Sequence, residues 1–382
     1  MTLTSFTLHL RRLSLSILPA SLLAATFSLL LYVLPLVNVT ATAKADTVQL
    51  RLIRTLKHDY HATALAWHPD GKYLAIGGVF SKTVAIWNVD KAELIRTFSG
   101  WPSGIGAIAY SPDGRYLAIG LNFVGSISDK HNLDIYDAKT GQLIHRLVPL
   151  AISKGGSSND VQALVFSPDS RYLVANGYGA QSTAVVYALK TGKAVATLPA
   201  STKITDAIMS LAYSPNGKLI AVGHITGTLD IWATGSWKLQ NQLDVNRPKA
   251  ISALDFSPDG NRLAFGSLMG PGEDAKTGQI ISSTSPDDIV ILDVSSLKRI
   301  KSFASRHGGS VIREMLFNSN GKMLISGGTS KSIAVHDTNT GNRVEFLDGF
   351  PHVAHPALSR DGKLLAIGTG QEVRIYELSE SE

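Results

Sequence analysis

Cysteine is missing from the 382-residue chain. Its absence excludes disulfides, thiolate zinc sites, c-type haem attachment and a lipidated N-terminal Cys. Charge is sparse as well: 17% of residues are charged, against 44% hydrophobic. The net charge of +6 owes half its size to one segment, because residues 1–45 carry Arg11, Arg12 and Lys44 and no acid. The rest holds 33 basic against 30 acidic residues, which is no nucleic-acid footprint. Catalytic signatures are lacking too. There is no Gly-x-Ser-x-Gly elbow, no His-Glu-x-x-His and no phosphate-cradling glycine loop with a Lys.

What the chain does have begins at its N-terminus. From Leu13 to Thr42 no residue is charged, Arg11 and Arg12 precede the run, and Ala41-Thr42-Ala43-Lys44-Ala45 follows it. A basic start, an apolar stretch and small residues at Ala-x-Ala spacing describe an export signal cut after Ala43 or Ala45. The run is longer than most signal cores, so a retained anchor through residues 13–39 is the alternative. Either outcome leaves the arginine pair on the cytoplasmic side and places the remainder outside. Residues 1–45 are thus expected to be a signal or anchor, and 46–382 one domain.

Seven copies of one phrase fill that domain: an apolar stretch, a Pro-Asp-Gly-like turn, then an apolar stretch ending in glycine. The turns are His68-Pro69-Asp70-Gly71, Ser111-Pro112-Asp113-Gly114, Ser167-Pro168-Asp169-Ser170, Ser214-Pro215-Asn216-Gly217, Ser257-Pro258-Asp259-Gly260, Asn318-Ser319-Asn320-Gly321 and Ser359-Arg360-Asp361-Gly362. Their spacings at the Pro position are 43, 56, 47, 43, 61 and 41 residues. Each copy reads as four short strands. The turn joins the first two, a β-branched and aromatic run such as Thr83-Val84-Ala85-Ile86-Trp87 forms the third, and Lys139-Thr140-Gly141-like turns lead into the fourth. Four-stranded units of this length repeated radially predict an all-β, seven-bladed β-propeller. The last copy has only three strands, and the spare strand at Val48 to Leu56 is expected to complete it and close the ring.

The pattern resembles the WD-repeat propeller family over residues 48–382, in a degenerate exported bacterial form akin to quinoprotein-like propellers. Counterparts of the family's Trp-Asp pair are Trp87-Asn88, Tyr136-Asp137, Tyr187-Ala188, Trp232-Ala233, Leu292-Asp293, His336-Asp337 and Tyr376-Glu377. The family's structural Asp is replaced by Ser81, Lys130, Gln181, Thr226, Pro286, Ser330 and Gly370. A His–Asp network is therefore expected in no blade.

In such propellers the second-to-third-strand loops and the blade-to-blade connections open on one face, the top. The insertions Leu121 to His131, Pro149 to Asp160 and Leu268 to Asp288 all fall there, which makes the top the expected binding surface. Candidate contacts are Tyr60, His61, Trp101, Phe123, Asp160, Glu273, Asp274, Lys276, Arg313 and His355. For the aromatics Tyr60, Trp101, Phe80 and Phe123, blade packing is the bland reading. For Arg313 it is an ion pair with Glu314 or a neighbouring blade. His58, His61, His352 and His355 sit at the starts of neighbouring blades, and imidazole is a metal ligand, yet no known metal motif is present. The primary reading is a non-catalytic scaffold, a monomeric ring without cofactor, binding a protein or peptide in the periplasm or envelope. The alternative is a channel-site enzyme of lactonase, quinoprotein or haem type, with His355, Arg313 and Asp160 as first suspects.

Overall fold

The computed structural model describes residues 48–122, 132–147, 160–177, 183–199, 206–244, 250–267, 272–273, 280–281, 288–305, 307 and 311–380. Within them lie seven four-stranded antiparallel sheets. In six, the strands follow in sequence order. The seventh has the order Val48–Lys57, Glu372–Glu380, Leu364–Thr369, His355–Leu358, so the spare N-terminal strand does complete the last blade. Val48 pairs with Glu380 and Lys57 with Glu372 along this joint, and Arg51 ion-pairs with Glu377 across it.

First strands of neighbouring blades touch one another, so they form the inner ring: Ala64–Trp67, Gly104–Tyr110, Leu164–Phe166, Ile208–Tyr213, Ile251–Phe256, Ile312–Phe317 and His355–Leu358. Fourth strands form the rim. The core is apolar packing between consecutive sheets. Fully buried Leu74, Ile76, Leu117, Ile119, Ile135 and Leu173 come from second and third strands, and each is worth ~1.5–3 kcal/mol relative to exposure.

The turns show why the repeat reads as it does. Ser111 Oγ donates to Asp113 Oδ1 at 2.6 Å, and Ser167 to Asp169, Ser257 to Asp259 and Ser359 to Asp361 do the same at 2.6, 2.5 and 2.6 Å. The third copy has Ser170 where the others have Gly. It still takes the left-handed conformation, at φ 57, which is costly for a side chain. Its hydroxyl offsets that by accepting from Asp113 N of the preceding blade at 3.0 Å.

Two sets of bulges break the ladders. On all seven rim strands one residue is skipped at the same place: Ile95, Ile144, Val195, Gln240, Ile300, Val344 and Ile53. On four inner strands the second residue or its equivalent is skipped: Gly106, Met209, Ser252 and Arg313. Beside these inner bulges the blades are stitched together. Asn176 Nδ2 donates to Ile208 O at 2.8 Å, Ser210 Oγ to Ile251 O at 2.8 Å, and Ser252 Oγ to Ile312 O at 2.6 Å. Among the described residues no helix is long and apolar enough to cross a membrane.

Candidate functional site: the top face from blade six to blade one

Antiparallel order puts the Pro-Asp-Gly and Thr-Gly turns of each sheet at one end, and the other connections at the opposite end. The top is therefore built from the segments at 57–63, 78–82, 100–104, 160–163, 351–354 and 369–371, among others.

A cleft of ≈ 800 Å³ opens there between blades seven and one, lined by Lys57, His58, Asp59, His61, His352 and Glu372 among others. His61 and His352 bring their rings to a centroid distance of 4.4 Å at 59°. His58 stacks on Tyr60 at 4.8 Å. Burial holds its imidazole below the usual pKa because the charged form loses hydration. Tyr60 is anchored: its hydroxyl donates to Ile76 O at 3.0 Å, and burial pushes its pKa up to about 12. Three of the four suspected imidazoles thus meet. The fourth does not, since His355 is buried and its Nδ1 lies 2.8 Å from Glu314 Oε1. Among the described residues no three His, Asp or Glu side chains converge in a metal-holding arrangement.

Arg313 behaves differently from its bland reading. Glu314 pairs with His355, while Arg313 occupies the inner-strand bulge and is exposed. A bulge re-aims the skipped side chain away from the ladder, and among the described residues no carboxylate pairs with the guanidinium. Asp160 is half-buried at the start of blade three, whereas Arg313 and His355 belong to the first strands of blades six and seven. Trp101 is withdrawn from the surface. It is 6% exposed, and its indole N–H donates to the buried carboxylate Asp134 at 2.9 Å, a packing role set by the need to satisfy that carboxylate. Phe80 goes the opposite way, being 81% exposed in the blade-one loop. Glu273 pairs with Ile280 in a two-residue ladder; Phe123, Asp274 and Lys276 lie outside the described residues.

Sequence reasoning missed two polar clusters and one acid. Blade four does contain a His–Asp network, contrary to expectation, because its members occupy other positions than the family's. His224 ends the second strand, fully buried, with Nδ1 3.1 Å from Asp206 Oδ2 and Nε2 3.2 Å from Asp230 Oδ2. Thr226 Oγ1 donates to Asp206 at 3.0 Å and Gln242 Nε2 to Asp230 at 2.9 Å. Blade six surrounds buried His307 with hydroxyls instead: Nδ1 lies 2.9 Å from Ser332 Oγ and 2.8 Å from Ser330 Oγ, and Nε2 3.0 Å from Ser326 Oγ. The acid is Asp255, which accepts from Phe317 N of the next blade at 2.7 Å. Burial pushes its pKa up to about 7. Its counterparts in the other copies are Ala66, Ala109, Val165, Ala212, Leu316 and Ala357, and that lone break in an apolar series was the available signal.

Comparison with known proteins agrees with the geometry. The family model for the WD domain, G-beta repeat, matches residues 50–88, 92–130 and 192–233. WD repeat-containing protein VIP3 of Arabidopsis thaliana is 28% identical over 226 residues, covering 54% of this chain and 64% of that relative. The match therefore spans less than two thirds of the relative's length.

Proposed function

The chain belongs to the WD-repeat propeller family, and from that premise we propose that it is a protein- or peptide-binding ring outside the cytoplasm that engages its partner through the top face. The observation carrying this is the sector from blade six to blade one. An exposed Arg313, an open cleft with three imidazoles and an 81% exposed Phe80 share it. Exposed aromatic and Arg side chains on a rigid frame are what interfaces use as anchors. Closure of the ring by the Val48–Lys57 strand on blade seven supports a rigid frame here, so partner contact requires little backbone rearrangement. Export is supported by the charge-free run behind Arg11 and Arg12.

The test is site-specific photocrosslinking in the native host, with the crosslinker at Phe80, at Arg313 and, as a bottom-face control, at Lys190. One discrete adduct at the two top positions and none at Lys190 is the expected pattern. Indistinguishable patterns at all three positions would sink the reading. N-terminal sequencing of the fractionated protein tests export separately. A chain starting near Asp46, or an intact chain in the membrane fraction, agrees with it, whereas an intact chain in the soluble cytoplasmic fraction does not.

A further inference from the structure

The bottom turns look uniform in sequence except for one. Five copies begin the turn with Ser and the sixth with Asn318, but the first begins with His68. That exception coincides with a recess of ≈ 390 Å³ between blades one and two on the face opposite the cleft, within the ~300–1,000 Å³ span of ligand pockets. Tyr73 and Ile86 of blade one and Tyr110 of blade two line it. His68 stands edge-on to both tyrosines, at ring-centroid distances of 6.0 and 5.1 Å, and its Nε2 is 3.2 Å from Gly114 O. The lining is thus aromatic and aliphatic. The Tyr110 hydroxyl finds no hydrogen-bond partner among the described residues, unlike that of Tyr60.

The rim is cationic. Arg96 lies flat over Gly141, where a Cβ would come within 2.3 Å of its Nη1. Its terminal nitrogens reach only the Lys139 carbonyl, at 3.4 Å. No carboxylate pairs with it among the described residues, and Lys139 is exposed beside it. Two acids border the recess and both are engaged locally: Asp113 accepts from Ser111 Oγ and Arg115 N, and Asp70 Oδ1 accepts from Lys72 N and lies 2.9 Å from His68 Nδ1. At the next joint the residue equivalent to Arg96 is His145, whose Nε2 lies 2.8 Å from Leu189 O; Arg54 holds the equivalent position in blade seven, so what sets the first joint apart is Arg96 beside the His68, Tyr73 and Tyr110 recess.

We propose that this recess is a second docking site, for a short acidic peptide segment that seats one aromatic or branched aliphatic side chain against Tyr73, Ile86 and Tyr110 and sets a neighbouring carboxylate on Arg96 and Lys139. The apolar wall supplies affinity, and the paired cations select against basic sequences. The site lies on the opposite face from Arg313 and stands independently of the top-face reading.

Fluorescence anisotropy tests it with a labelled peptide carrying a Leu-Phe-Asp-Glu core, the same peptide with Lys for both acids, and one with Ala for both apolar residues. Saturable binding of the first alone is expected. It should weaken at least about tenfold in the Arg96→Glu, Lys139→Glu double variant, lessen in about 0.5 M salt, and survive Arg313→Ala. Unaltered melting of the double variant confirms that its fold is intact. Equal binding of the lysine peptide, an unaffected double variant, or no saturable binding of any peptide up to about 1 mM overturns the proposal.

Discussion

Blades four and six each bury an imidazole near the top face, and they surround it in opposite ways. His224 sits between two carboxylates that are themselves buried. His307 sits among three serine hydroxyls. A hydroxyl can donate or accept and can turn to a new partner, whereas an ionised carboxylate can only accept. Blade four is therefore a site whose members need one another, and blade six one whose members tolerate loss. The two imidazoles reach the top from different positions of the repeat, His224 from the end of a second strand and His307 from the connection before a first strand.

The largest test of that difference is His224→Ala. It would leave Asp206 and Asp230 facing each other without their shared partner, and should cost ~3–5 kcal/mol of unfolding free energy in urea. A loss below about 1 kcal/mol would erase the distinction between the blades. His307→Ala comes next, at ~1–3 kcal/mol, since water and the remaining serines can take up the freed hydroxyls. If it proved as damaging as His224→Ala, the comparison would fail.

Acid sharpens the contrast further. Burial holds His307 below its ordinary pKa, so its neutral form is the one that favours folding. That contribution is complete above about pH 6.5 and is lost as the pH falls from there toward the folded value. The Tm gap between wild type and His307→Gln should consequently shrink on going from pH 7.5 to pH 5, and a constant gap would contradict the assignment.

Asp255 extends the comparison to a carboxylate with no cation beside it. Its pKa is raised from 3.8 to about 7, so the protonated form favours folding. That contribution is whole below the unfolded value and disappears as the pH rises through about 7. Asp255→Asn should raise Tm at pH 8 by about 2–4 °C and change it little at pH 4. A drop in Tm at pH 8 would show instead that Asp255 is needed as a charged acceptor for Phe317 N.

These polar sites mark where the sequence stopped being readable. The Pro-Asp-Gly-like turns announced every blade because their geometry is local, set in four of them by a hydroxyl and a carboxylate two residues apart. The closing strand was legible for a similar reason: Val48 to Leu56 has the pattern of a fourth strand, and the last copy lacks one. Asp206, His224 and Asp230, by contrast, come from a connection and two strands, and only pairing brings them together. Arg313 was legible as an oddity within an apolar strand, but its freedom from Glu314 followed from a bulge, which is a property of register. Trp101 and Phe80 exchanged expected roles because a loop aromatic's exposure depends on whether a buried acid such as Asp134 is within reach of it.

The seven rim bulges carry a consequence for how anything can join this ring. A peptide that adds to a sheet needs a straight run of unpaired N–H and C=O groups, and every outer strand is interrupted at the same place, six times of seven by a bulky aliphatic residue. Main-chain recruitment along the circumference is thereby discouraged, for foreign strands and for other copies of the chain alike. Seven edges interrupted in this way are protected against runaway edge-to-edge stacking.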